Sequence, residues 1–100
     1  MNENYLEETY FPNLESASPE TQKEYALAIF LRREIAYQIM SFGHISKEEM
    51  LENIAEEGKL EEVGISVNEA SILIDRYNLY EGTYEFYLHS LEHAFDEEER

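Results

Sequence analysis

Apolar residues recur along this chain at helical rather than strand spacing. Tyr25, Ala28, Ile29, Ile35, Ala36, Ile39 and Met40 return every few positions, and Leu27, Phe30, Leu31 and Tyr37 widen the stripe almost all round. Ahead of them, Ser18-Pro19-Glu20 supplies an N-cap, a proline at the first helical position and an acid in the first turn; Gly43 stands behind as a C-terminal stop. One long helix, about Pro19 to Phe42, is predicted. Its all-round apolar character predicts that it is the central, most buried element.

Shorter helices follow. Ser46-Lys47-Glu48-Glu49 reads as a capping box before a narrow stripe of Met50, Leu51, Ile54 and Ala55, which Gly58 ends. Ser66-Val67-Asn68-Glu69 is a second box, opening a helix whose Val67, Ala70, Leu73, Ile74, Tyr77 and Tyr80 point inward until Gly82. Thr83 is then expected to cap a last helix, with Tyr84, Tyr87, Leu88, Leu91 and Phe95 inward and Glu85, His89, Glu92, His93 and Asp96 wet. At the other end, Asn4 to Phe11 predicts a short helix carrying Tyr5, Leu6 and Tyr10, joined to the long helix by a loop from Pro12 to Ala17. No alternating run of strand length and no fixed-period repeat occurs. The expected class is all-α: a compact bundle of four to five helices with a long central helix and a helix-turn-helix-like pair. It forms one domain, 1–100, in which 1–17 is a peripheral segment and 97–100 a frayed acidic tail.

Composition refines this picture. One hundred residues suit a single domain, and 43% apolar content with 13% aromatics provides for a core, so the chain is read as folded despite its charge. The absence of Cys removes disulfides, thiolate metal sites and thiol nucleophiles and fits a reducing compartment. The longest apolar run, Tyr25 to Leu31, is far shorter than the roughly 20 residues that cross a bilayer, and Met1-Asn2-Glu3-Asn4 has no basic n-region of a signal peptide. A cytoplasmic protein without membrane contact is expected.

Charge changes the picture most. The chain has 23 acids against 7 Lys and Arg, a net charge of −16. Residues 1–46 hold 7 acids and 3 bases, a balance of −4, whereas residues 47–100 hold 16 acids and 4 bases, a balance of −12. Glu48, Glu52 and Glu56 repeat at i,i+4, which destabilises a helix by roughly 0.2–0.5 kcal/mol per pair. Glu49, Glu57, Glu61 and Glu62 extend the patch, opposed locally by Lys47 and Lys59. A solvated face is the ordinary reading of any one of these acids; their concentration after residue 46 is what solubility alone does not require.

Other chemistry is sparse. Leu60-Glu61-Glu62-Val63-Gly64-Ile65-Ser66, with Ala70, Leu73 and Ile74, resembles the bacterial helix-turn-helix unit over about twenty residues. The resemblance implies a packed helix pair. Leu60 departs from the small residue the first helix of that unit wants, and the matching second helix offers Val67, Asn68, Glu69, Ser71, Ile72 and Asp75 with Arg76 its only base, so no direct nucleic-acid binding is expected. His89-Ser90-Leu91-Glu92-His93 matches the H-x-x-E-H pattern of the inverted zinc peptidases, but no downstream ligand follows, and a solvated face is the expectation. His44 is expected to favour the C-terminal end of the long helix. Tyr25, Tyr37, Tyr77, Tyr84 and Tyr87 are expected in the core. No catalytic residue, metal site or cofactor is assigned, and the chain is not expected to be an enzyme.

The acids therefore carry the functional expectation. Glu48, Glu49, Glu52, Glu56, Glu57, Glu61 and Glu62 form a partner-binding face directed at a basic protein, one that binds or processes nucleic acid. Carboxylates on adjacent turns stand roughly 5–6 Å apart, the scale of phosphate spacing along a strand. Small acidic helical proteins of phages and mobile elements that antagonise host nucleases resemble this composition. The alternatives are an immunity protein or antitoxin for a basic toxin, and a homodimeric structural module joined through Tyr5, Leu6 and Tyr10.

Overall fold

A computed structural model describes residues 5–85, and every regular element in that range is helical. Helix α1 covers Tyr5–Thr9 and a 3-10 turn Leu14–Ser16; α2 is Pro19–Phe42, α3 Lys47–Glu56, α4 Lys59–Val63 and α5 Val67–Arg76. A further helical stretch at residues 79–85 is α6. The chain is an all-α bundle.

Local chemistry sets most boundaries. The Ser18 side chain accepts a hydrogen bond from the Thr21 N–H at 3.2 Å and so caps α2, and the Gly43 N–H closes its far end on the Ile39 carbonyl at 2.8 Å. Ser46 caps α3 through the Glu49 N–H at 3.2 Å. The reciprocal half of a capping box forms only at Ser66, whose N–H donates to the Glu69 carboxylate at 3.3 Å. At Ser46 the box is half made, and the Glu49 carboxylate is left facing solvent. Gly64 ends α4 in the left-handed region (φ 72°), and the Ile65 N–H returns to the Leu60 carbonyl at 3.1 Å, the six-residue closure of a Schellman turn.

Two boundaries depart from the expectation. Helix α5 stops at Arg76, six residues before Gly82. The turn uses Asn78, whose φ of 53° is the left-handed conformation that Asn tolerates better than most residues. The chain then re-enters a helix that runs through Gly82, whose N–H donates to the Asn78 carbonyl at 3.1 Å. Thr83 is consequently not a cap; it lies buried inside α6. Val67, at the first position of α5, is 47% exposed rather than inward, while Ala70, Leu73, Ile74 and Tyr77 are buried.

The core is one cluster. Ala28, Leu31, Ile35 and Ile39 of α2 meet Met50, Leu51 and Ile54 of α3 and the buried face of α5. Helix α3 touches α2, α4 and α5 and is the hub of the packing. The N-terminal segment contributes Leu6, fully buried, and Phe11, whose ring lies 5.1 Å from those of Tyr25 and Tyr77. Gln38 also sits in the core, where its Oε1 accepts from the Asn53 Nδ2 at 3.1 Å and joins α2 to α3.

Helix α2 is long, but it is not enclosed. Tyr37 is 60% exposed and Met40 68%, so one of its two apolar sides faces solvent. Tyr37 thus leaves the expected core set; Tyr77 is buried and Tyr25 and Tyr84 are half-buried. No described helix is long and apolar enough to cross a membrane. The side chain of Tyr5, the positions of Tyr87, His89 and His93, and the tail 97–100 lie outside the described residues.

Candidate protein-binding face

Met50, Leu51 and Ile54 turn one side of α3 into the core, which leaves the opposite side to its acids. Glu48, Glu49, Glu52 and Glu56 on α3, Glu57 at its C-cap, and Glu61 and Glu62 on α4 are all exposed. Leu60, buried at 3%, anchors α4 from below. The structure therefore keeps all seven sequence-predicted side chains at the surface, on two helices in direct contact.

Helix ends divide these acids by cost. Glu48 and Glu49 lie in the first turn of α3, and Glu61 and Glu62 in that of α4, where the free N–H groups favour negative charge. Glu56 and Glu57 are at the C-terminal end of α3, where that field is reversed, and no base occupies the last turn. Glu52 sits between like charges at i−4 and i+4. Local stability does not explain these three.

Lys47 and Arg76 are drawn away from the face. Lys47 forms an ion pair with Asp75 of α5, so its charge neutralises a neighbouring helix rather than the glutamates. Arg76 pairs with Glu24 of α2, and the buried Tyr77 hydroxyl donates to the same carboxylate. Lys59 stands beside Arg33, Glu34, Tyr37 and Glu57 around an open depression of about 570 Å³. The two ion pairs pin α5 to α2 and α3, while Lys59 stays at the Glu57 edge of the face and the acids remain exposed to water.

Tyrosines register the buried side of the same architecture. Burial first, and the hydrogen bond to Glu24 second, raise the Tyr77 hydroxyl pKa; burial and then the bond to Glu7 raise that of Tyr25. The Tyr80 hydroxyl, raised mainly by burial, donates to the Ile45 carbonyl and holds α6 against the loop before α3. His44 turns its Nδ1 to the Tyr84 hydroxyl, so its ring serves the α6 contact rather than the end of α2.

The helix-turn-helix-like unit takes a distinctive form. Its first helix, α4, is only five residues long, and the exposed side of α5 shows Val67, Asn68, Ile72 and Asp75. Beside it an apolar groove of about 300 Å³, floored by Leu27, Ile65, Ile72 and Leu73, runs between α2 and α5. Among the described residues no group of three or more His, Asp or Glu side chains is arranged to hold a metal ion.

Compared with known protein families, curated proteins and solved structures, the chain has no match.

Proposed function

We propose that this chain is a non-enzymatic, acidic protein-binding inhibitor or modulator acting in the cytoplasm. Its α3–α4 face covers a basic, nucleic-acid-binding surface of a partner, in the manner of phage or mobile-element antagonists. The observation that supports this reading is the solvent exposure of all seven glutamates while Lys47 is committed to Asp75. A partner groove lined with Lys and Arg meets carboxylates repeating at each turn, and complementary fields speed the encounter. Electrostatic capture of this kind weakens as salt screens it.

The test is retention of host proteins on the immobilised chain, followed by reconstitution with the purified candidate. A basic nucleic-acid-binding protein should be held at low salt, released at high salt, displaced from its own nucleic acid by the chain, and lost when Glu48, Glu52 and Glu56 are all changed to Lys. Undiminished retention by that triple variant would sink the reading. A dedicated toxin in place of a nucleic-acid-handling protein would redirect it to an immunity role.

A further inference from the structure

The exposed side of α2 carries an ordered pattern. Residues advance by about 100° around an α-helix, and Ala28, Leu31, Ile35, Gln38 and Ile39 mark the core side. Ala26, Phe30, Arg33, Tyr37 and Met40 fall within an arc of roughly 80° on the opposite side. Phe30 is half-buried and the other four are exposed. Their spacing alternates four and three residues, the period of a seam that packs against another helix. In a chain with 23 acids the stripe contains none; its single charge is Arg33. Along its flank Glu34 and Glu57 are balanced by Arg33 and Lys59 around one depression, so this region is locally neutral.

We propose that this stripe is the docking surface for a second copy of the same chain, with the two α2 helices antiparallel about a two-fold axis level with Ile35. That register is self-complementary. Arg33 meets the partner's Tyr37 as a cation over an aromatic face, and Phe30 meets the partner's Met40 as a ring against a thioether. Symmetry repeats each contact, as an isologous interface requires.

Charge bears on the occupant through the stripe itself. A basic partner finds its counter-charges on α3–α4 and none here, and because the stripe holds no acid it is a face on which two copies, each at −16, can meet with little direct repulsion between carboxylates. Size sets the strength. Tyr37 is 60% and Met40 68% exposed, Arg33 is exposed and Phe30 half-buried, so two copies bury less than the roughly 1,200 Å² at which stable specific interfaces begin, in the range of transient contacts. The dimer is weak and reversible. Leu6 is fully buried in its own subunit, so an N-terminal dimer lacks its central residue and α2 takes that role.

Sedimentation equilibrium of the full chain decides the matter. The mass should rise from 11.8 kDa towards twice that value with concentration, and more readily at high salt, where repulsion between acidic subunits is screened. Tyr37→Glu combined with Met40→Glu should weaken association by about tenfold or more, with an unchanged circular dichroism spectrum because both side chains are exposed. Because the chain lacks Cys, mixing an Arg33→Cys variant with a Tyr37→Cys variant should give a disulfide-linked pair faster than either alone. A monomer at all concentrations and salts overturns the proposal, as does a dimer indifferent to the double Glu variant. A monomer whose Tyr37→Glu variant melts at lower temperature also overturns it, by showing that the stripe is covered within its own chain.

Discussion

Tyr77 concentrates several constraints on one side chain. It is 7% exposed, its ring lies 5.2 Å from that of Tyr10 in an edge-on arrangement, and its hydroxyl donates to Glu24, which also receives Arg76. The raised pKa means that folding favours the protonated phenol, so the associated stability is complete below the unfolded value of about 10 and is lost as pH climbs through the folded one. Tyr77→Phe should cost about 1.5–3 kcal/mol at neutral pH, the worth of a hydrogen bond to a charged acceptor. The deficit relative to the parent should shrink above about pH 10, because the parent then loses the same interaction. Denaturant melts of both chains across that range check it; a constant gap would show that the hydroxyl does not couple to Glu24. The burial of Tyr77 was legible from the helical period. Its partner Glu24, 53 residues away, was not, because a sequence pattern reports which side of a helix is wet and not which carboxylate waits across an interface.

Helix α3 shows a conflict between local stability and surface charge. Glu56 is i+4 from Glu52 and lies at the helix end where a cation belongs. Glu56→Lys removes one repulsion, sets an ammonium four residues after Glu52 in the favourable orientation and complements the helix field. Together these should add about 1 kcal/mol, which raises Tm by roughly 4–8 °C in a domain of this size. The same change should weaken capture by the partner, so calorimetry and binding should move in opposite directions; a fall in Tm would show that Glu56 has a structural role. Helix starts at Ser18, Ser46 and Ser66 were readable because a cap is made within four residues. The break at Asn78 was hidden because Asn signals a turn only weakly, while Gly82, ordinarily a stop, was carried into a helix by packing around a buried backbone. Exposure of the acidic face was equally readable, since glutamate seldom enters a core. The open side of α2 was not: an all-round apolar helix reads the same whether its second side meets the core or another molecule.

The two surfaces proposed for the whole molecule should respond to salt in opposite ways. A charge of −16 on 100 residues opposes compaction within one subunit and association between two, and screening relieves both. Salt should therefore raise Tm and increase the dimer fraction, while it releases the basic partner from α3–α4. A salt series that follows melting temperature, sedimented mass and partner retention on the same sample separates these terms. If mass and retention fall together, one acidic surface serves both contacts and the division between α2 and α3–α4 fails. If mass rises while retention falls, the surfaces are independent, and the triple Lys variant at Glu48, Glu52 and Glu56 should still dimerise, more tightly than the parent at low salt because it has shed repulsive charge. Antiparallel pairing through α2 then yields one particle with two copies of the acidic face, and a partner with two basic grooves is held by both at once. Linked sites of this kind exceed either single affinity where the geometry spans them. A dimer-disrupting Tyr37→Glu, Met40→Glu variant, with all seven glutamates intact, should bind such a partner with the single-site affinity alone.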